Sequence, residues 1–299
     1  MYPSKLLCLT ATGSTSGELG NGTTARIFDR IFPADRLDVT NVFPVDDQAQ
    51  EDRRIEHDVY RSIVGHGAIT DLNQPEHPKI LQVGASHYLW VREIASSCPT
   101  ANITVADNFD PKQAMPQGAT LYYNADSDAL PFPENEFDYI HVRGQTGRIR
   151  DWPKFIRETF LRLAPGGYTE YCDISLDFLK PEMHSRLPPP WAECSRILHQ
   201  VAEDTGRPLH VGLHECAACM RAAGYTIAVL HDSFALDGET DFKKDLRRVV
   251  SSKAIAAATY HNYEMGVKSR DHDTYIKNLE HGLNTDCGNF SDYWPEAFQ

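Results

Sequence analysis

The stretch ILQVGASHYLW, residues Ile80–Trp90, decides the fold of this chain. It begins as an apolar strand, and Gly84 then supplies a tight turn into a helix. A glycine-rich turn of the type G-x-G-x-G would have two more glycines, but Ser86 and Tyr88 occupy those positions. The stretch therefore predicts an α/β domain with a ligand crevice at this turn, and it leaves the ligand open.

The side chain of Tyr88 bears directly on that crevice. Glycine permits positive φ, which costs an L-residue roughly 1 to 2 kcal/mol, and lets backbone N–H groups approach a ligand. Tyr88 either points away and leaves the crevice intact, or projects its ring into the space that a ligand fills. The sequence leaves both alternatives open.

The composition of the chain restricts the classes of molecule that it is expected to bind. Its 299 residues are 41% hydrophobic and 24% charged, enough for one large or two small domains with a real core. The formal charge of −13, from 29 basic and 42 acidic residues, opposes binding to nucleic acids and anionic membranes. We therefore expect a small neutral or cationic ligand.

Targeting signals and cysteines predict an intracellular protein. The longest apolar run near the beginning, Leu6–Leu9, is too short for a signal peptide or a membrane span. The seven cysteines are an odd number scattered through a large chain, so we expect reduced thiols. We place the protein in the cytoplasm, with the nucleus as the alternative.

Strands and helices alternate after the first turn. Four further strands are predicted at 103–106, 120–123, 137–142 and 168–172. The helix over 151–163 has Asp151 as its N-cap. This alternation predicts a doubly wound, mainly parallel sheet. Residues 1–50 are expected to be a flexible lead-in or lid, and residues 51–299 one domain whose part from about 240 is helical.

Three longer motifs point to a family. They are ADSDALPFPENEFDYIHVR (Ala125–Arg143), RIRDWPKFIRETFLRLAPGGYTEY (Arg148–Tyr171) and WAECSRILHQVAEDTGRPLHVGLHECAACMRAAGY (Trp191–Tyr225). In this order they resemble segments of class I S-adenosylmethionine (SAM) methyltransferases, specifically the LaeA-like fungal group associated with secondary metabolism. The resemblance covers roughly residues 50 to 260. It implies a Rossmann-like seven-stranded sheet with extra helices covering the pocket.

The resemblance also implies SAM as cofactor and assigns residues to it. These are Gly84, Ser86, Tyr88, Asp107, Asn108 and Asp126. Asp126 matches the position near the adenine amino group, and either Asp107 or Asn108 matches the acidic residue that holds the ribose hydroxyls. At the methionine end, Gln82 replaces an acidic residue and the turn has lost glycines. We therefore expect SAM binding to be weakened or lost.

Candidate catalytic groups stand at the ends of the fourth and fifth strands. His141 is expected to act as a general base or to orient the substrate, with Arg143 as an anion contact, because ligands bind at this edge of α/β sheets. Glu170 and Tyr171 are candidates at the fifth strand, and Trp191 is placed to roof an aromatic substrate. The alternative for each residue is a structural role.

Two local clusters are interpreted as structural. His210, His214, Cys216 and Cys219 lack the ligand spacing of a zinc finger, and we expect no metal. A basic set is interpreted as the solvated side of a helix and its preceding loop. Its members are Arg143, Arg148, Arg150, Lys154 and Arg157.

Three functions remain open at this point. The first is a SAM-dependent methyltransferase acting on an aromatic, polyketide or alkaloid intermediate of fungal secondary metabolism. The second is an enzyme on the same scaffold that catalyses a cyclisation or isomerisation. The third is a non-catalytic regulatory protein. A homodimer or a pathway-protein partner fits any of the three.

Overall fold

The computed structural model describes most of the chain. The described residues are 24–33, 43–64, 67–68, 72, 75–84, 88–107, 114–123, 129–175, 185, 187–208, 213–226, 231–233, 240–285 and 296–298. Among these, no helix is both long and apolar enough to cross a membrane.

Nine strands and seven helices occupy the described residues. The strands are β1 (Thr24–Ile27), β2 (Arg30–Pro33), β3 (Lys79–Val83), β4 (Asn102–Asp107), β5 (Ala119–Tyr123), β6 (Phe137–Arg143), β7 (Leu163–Ser175), β8 (His231–Ser233) and β9 (Glu296–Phe298). The helices are α1 (Asp47–Val64), α2 (Leu89–Ser97), α3 (Trp152–Arg162), α4 (Pro189–Thr205), α5 (Leu213–Ala223), α6 (Asp241–Glu264) and α7 (Ser269–Thr285).

The main sheet has the order β5-β4-β3-β6-β7-β9-β8. Its first five strands are parallel, whereas β9 pairs antiparallel with both β7 and β8. The expected α/β, Rossmann-like and mainly parallel architecture is confirmed. Seven strands are reached only through β8 and β9, which have three residues each.

Helix α3 forms as its sequence predicts. Asp151 accepts a hydrogen bond from the Lys154 backbone N–H at 2.9 Å, and a proline lies in the first turn. Strand β7 begins directly after this helix, several residues earlier than expected. Gly166 and Gly167 therefore lie inside a strand whose register with β6 shifts between Phe137 and Tyr139.

The range expected to be a lead-in or lid contains regular structure. Strands β1 and β2 form a hairpin, and α1 begins at Asp47. Asp46 joins the two elements, because it pairs bidentately with Arg30 at 2.7 and 2.9 Å and accepts from the backbone N–H groups of Ile31 and Ala49. The hairpin is thereby fixed to the start of α1.

Three groups of buried side chains hold the layers together. Helix α2 packs on the face of the sheet that contains Tyr139. Helices α3 and α5 pack on the opposite face, which contains Ile140 and Val142. The hairpin packs with α1, α4, α6 and α7 in a third cluster that reaches Cys172 of β7. Helices α1 and α6 therefore lie close to the carboxyl end of the central strands.

Candidate functional site

The carboxyl ends of β3, β4 and β6 meet around Gly84. Its backbone has φ +87°, and its N–H donates to the Ala106 carbonyl at 3.0 Å. A Cβ here would lie 2.7 Å from the Arg143 carbonyl oxygen and 2.2 Å from Gln145 Nε2. Both the positive φ and the contact with backbone demand glycine at this position.

Tyr88 follows this turn and points away from the crevice. Its side chain is only 1% exposed and packs in the cluster beneath α2. Its backbone keeps the conformation that a glycine would have, with φ +59° and ψ +19°. Of the two alternatives, occlusion of the crevice by the ring is therefore wrong, whereas the expected backbone strain is present.

Of the other residues assigned to the cofactor, the structure describes Asp107. It is buried at the end of β4, and Arg148 Nη1 lies 3.7 Å from its Oδ1. Ser86, Asn108 and Asp126 lie outside the described residues. Asp107 thus lies at the end of β4, the neighbour of the strand that leads into the Gly84 turn, and its contact with the ribose stays a prediction.

His141 lies in the core, and the expectation that it faces the crevice is wrong. Tyr139 and His141 of β6 face α2, so the imidazole is fully buried and stacks on Trp90 at 4.0 Å between ring centroids. Gln82 donates to the Gly84 carbonyl at 2.7 Å, which turns its Oε1 toward Nδ1 of His141. This contact assigns the proton to Nδ1. Burial, with Arg143 and His57 nearby, lowers the pKa of His141 well below its ordinary value, so the ring is neutral.

Glu170 and Tyr171 are also buried, and they face opposite sides of the sheet. Glu170 is the register partner of His141 and accepts a hydrogen bond from the Tyr139 hydroxyl. Tyr171 bonds to the Thr159 hydroxyl of α3, and burial raises its pKa well above the ordinary value. The strand alternation therefore separates these candidates instead of bringing them together at one site.

The two residues expected to contact substrate, Arg143 and Trp191, are buried among other side chains of the protein. Arg143 is buried beneath α1, donates from Nη1 to His57 Nδ1 at 2.8 Å and lies 4.7 Å from the centre of the Tyr60 ring. Burial and Arg143 lower the pKa of His57 to about 4. Trp191 has no exposed surface and belongs to the cluster between α4 and α6. The expectation that it roofs a substrate is wrong, because its helix turns the indole into the core.

A small cavity of about 70 Å³ lies beside the crevice. Helices α1 and α6, the start of β2 with the segment before α1, and the loop after β6 form its walls. The charged lining residues are Arg30, Asp52, Arg53, Glu56, Arg148 and Lys253, and apolar residues such as Phe43 and Val249 complete the lining.

Lys253 of α6 links three elements at the wall of this cavity. Its Nζ lies 3.0 Å from Glu56 Oε1 of α1 and 3.9 Å from Asp173 Oδ1 of β7. Burial alone would lower the pKa of Lys253, but Glu56 and Asp173 together raise it. Burial raises the pKa of Asp173, whereas Lys253, Arg53 and Arg143 outweigh burial and hold that of Glu56 below its usual value. Two buried carboxylates therefore share one ammonium group.

Sequence reasoning did not identify this cavity. Its neighbours in the sequence predict a solvated basic face for Arg148, but its side chain is 13% exposed and turned toward Asp107. The sequence of α6 contains one indication of a buried charge, because Lys253 interrupts a run of apolar and small residues. Its carboxylate partners lie far away in the sequence, so only the fold shows the pairing.

A family model described as a methyltransferase domain matches residues 53–229. The chain belongs to this methyltransferase-domain family. Methyltransferase pytC of Aspergillus terreus is 27% identical over 171 residues, which are 56% of this chain and 52% of that protein. The secondary metabolism regulator laeA of Aspergillus fumisynnematus is 25% identical over 190 residues, or 62% of this chain and 50% of that protein.

These matches confirm the expected LaeA-like resemblance and relate this methyltransferase-domain protein to fungal secondary-metabolism methyltransferases. The chain spans about half the length of these relatives. Among solved structures, the cyclopropane synthase MmaA2 from Mycobacterium tuberculosis has a TM-score of 0.50 at 15% identity, covering 82% of this chain and 81% of that one. At this identity the likeness bears on the fold alone.

Proposed function

We propose that this methyltransferase-domain protein transfers a methyl group from SAM to a small molecule of secondary metabolism. One observation carries the proposal. Arg148 lines the small cavity between α1 and α6 and also approaches Asp107 at the carboxyl end of β4. The proposed cofactor crevice and the neighbouring cavity therefore share one side chain, so an acceptor held at the cavity would lie beside the cofactor.

The residues at the crevice fit SAM. Asp107 has a buried carboxylate that would accept hydrogen bonds from the ribose, and Gly84 brings backbone close to the ligand without a side chain. When bound, SAM supplies a methyl group on a sulfonium, which an acceptor displaces in line. Positioning contributes much of the rate in such a transfer, so the protein has to hold the acceptor and at most remove one proton.

The cavity wall offers a group for that proton. Glu56 is charged near neutral pH because Lys253 holds its pKa low, and its carboxylate lines the cavity. His141, Glu170 and Tyr171 remain untested as catalytic residues, and their burial in the sheet supports structural roles. We therefore propose Glu56 as the first residue to test for acceptor deprotonation.

The degenerate turn bears on cofactor affinity. Because Tyr88 already has a left-handed backbone before any ligand binds, its strain lowers the stability of the fold and not the affinity for SAM. We therefore propose that SAM binding is retained, in place of the weakened binding that the sequence favours. We also propose the cytoplasm as the site of action, with the nucleus as the alternative.

Calorimetric titration with SAM and S-adenosylhomocysteine (SAH) tests the proposal. We expect binding to the wild type and a loss of about tenfold or more in Asp107→Asn, because a charged acceptor of hydrogen bonds is lost. Asp271→Asn is the control for the loss of one carboxylate, because Asp271 is exposed. Asp138 is unsuitable for this purpose, since it accepts a hydrogen bond from the Lys79 backbone N–H. Absence of binding to the folded wild type would reject methyl transfer and favour the other two functions.

A further inference from the structure

A second cavity, larger than the one beside the crevice, lies under the turn of the β1–β2 hairpin. It measures about 580 Å³, which falls in the size range of small-molecule sites. Its walls are that turn, the first turns of α1, and helices α6 and α7. All of its described lining residues lie outside the segment 53–229 that matches the family model. This hairpin cavity is therefore separate from the cofactor crevice of the shared domain.

The turn of the hairpin is fixed against α7. Phe28 stacks on His272, with 3.7 Å between the ring centroids and 8° between the ring planes. His272 is held in turn by Asn262 of α6, whose Nδ2 donates to Nδ1 at 3.2 Å. The stack also holds Phe28 in a left-handed backbone conformation, with φ +53°, that is unfavourable for an L-residue. The walls of the hairpin cavity are therefore in place without a ligand.

One buried hydroxyl group on the cavity face of α6 has no partner. The lining residues Lys244, Arg248, Ser251, Ile255 and Thr259 recur at three- or four-residue spacing, so they share one face of the helix. Ser251 is only 4% exposed, and its Oγ makes no hydrogen bond within the described part of the chain. Thr259, by contrast, donates to the Ile255 carbonyl at 2.8 Å. Because an unpaired buried hydroxyl costs stability, Ser251 indicates a polar ligand atom in the cavity.

The cationic side chains that line the hairpin cavity are engaged within the protein. Arg30 pairs with Asp46 at 2.7 Å, and Arg248 pairs with Asp52 at 3.2 Å. Lys244 also interacts with another group. These cations therefore do not leave a site for an anionic ligand.

Two carboxylates at the rim remain for a ligand. Asp29 in the hairpin turn and Glu280 of α7 line the cavity, and neither forms an ion pair within the described residues. His272 supplies no compensating charge, because burial lowers its pKa and the ring is neutral near pH 7. The charge left at the hairpin cavity is therefore negative, as is the formal charge of −13 on the whole chain.

We propose that the hairpin cavity binds a small organic cation, an amine whose ammonium group pairs with the rim carboxylates. The three N–H donors of an ammonium group form charge-assisted hydrogen bonds with carboxylates. The apolar part of the amine contacts Ile255 and Ile276, and a polar atom at its inner end bonds to Ser251. This ligand site lies beyond the methyl-transfer reaction and does not depend on SAM. It agrees with the neutral or cationic ligand that the composition predicts.

Tryptamine and tryptophol test the charge requirement, because they share an indole ring and an ethyl chain and differ in an ammonium or a hydroxyl group. In calorimetry at physiological ionic strength, which screens general attraction to the acidic surface, we expect a single site that binds tryptamine at least about tenfold more tightly. The double variant Asp29→Asn/Glu280→Gln should lose most of this preference. Glu264→Gln, which neutralises an exposed carboxylate at the end of α6, should retain it. Equal affinity in wild type, or an unchanged preference in the double variant, would overturn the proposal.

Two further variants locate the bound amine. Ser251→Ala should weaken both probes about fivefold, because its hydroxyl accepts from the indole N–H that both carry. Urea unfolding should show this variant to be at least as stable as wild type, since an unpaired buried hydroxyl is removed. Ile255→Trp, which fills the cavity, should abolish binding of both probes. Unchanged affinity in both folded variants would place the amine elsewhere on the acidic surface and contradict the assignment.

Saturating SAH distinguishes the hairpin cavity from the cofactor crevice. We expect SAH to change the affinity for tryptamine by less than about threefold. Displacement of tryptamine by SAH would place the amine in the crevice and reject the hairpin cavity as its site. A wild type that binds tryptamine but not SAH loses the methyl-transfer assignment and keeps this site, so failure of either proposal is recognised separately.

Discussion

Replacement of Tyr88 by glycine should destabilise the protein and leave cofactor affinity unchanged. Glycine relieves the left-handed backbone, a gain of about 1 to 2 kcal/mol. It also removes a ring that is only 1% exposed, and emptying such an aromatic site costs about 3 to 5 kcal/mol. Glycine adds an entropic cost of about 0.5 to 1 kcal/mol. The expected net loss in the free energy of unfolding is therefore about 1.5 to 5 kcal/mol.

Urea unfolding followed by circular dichroism measures this change. Asn135→Gly is the matched control, because Asn135 is exposed and also has positive φ, +57°, so the same substitution relieves strain without removing a buried ring. We expect the control to lie within about 0.5 kcal/mol of wild type. SAH affinity in folded Tyr88→Gly should change by less than about threefold. A variant as stable as wild type, or one that binds SAH much more tightly, would refute the reasoning and place the ring in the crevice.

Three further predictions concern buried ionisable groups. His141→Asn should cost about 1 to 3 kcal/mol by losing the stack on α2 and should keep turnover; a fall of about 100-fold with intact SAH affinity would restore its role as a base. His57 has its pKa lowered to about 4, so it contributes stability above pH 6.5 that is lost as pH falls from 6.5 through 4. His57→Gln should flatten urea midpoints across that window, by up to about 3 kcal/mol, and an unchanged pH profile would contradict the assignment. Lys253→Met should cost about 3 to 5 kcal/mol at pH 7, because Glu56 and Asp173 lose their shared counter-charge, and the cost should shrink as the pH falls and these carboxylates take up protons. The exposed Lys277→Met should cost almost nothing.

The parallel sheet and α3 could be predicted because their signals are local. Apolar runs identify the strands, and Asp151 with the following proline fixes the start of the helix. The direction of His141 could not be predicted in the same way. Alternation shows that residues of β6 divide between two faces, but only the packing of α2 shows that Trp90 covers Tyr139 and His141.

The candidate site was less accessible to sequence reasoning than the fold. The sequence motifs identify Gly84 and Asp107 as residues at the carboxyl edge of the sheet. Their positions follow directly from where β3 and β4 end, which local sequence predicts. The cavity depends on contacts between α1, α6 and the loop after β6, which are separated by most of the chain. Arg148 shows the difficulty, since its sequence neighbours suggest a solvated helix face while the fold turns it toward Asp107.

The family match covers residues 53–229, whereas several walls of the cavity come from outside it. Arg30, Phe43, Asp52 and Lys253 all lie in these flanking segments. Under the proposed function, acceptor choice would therefore depend largely on sequence outside the shared domain. We predict that a chimera with the hairpin and α6 of a relative acquires that relative's acceptor while keeping its own cofactor half.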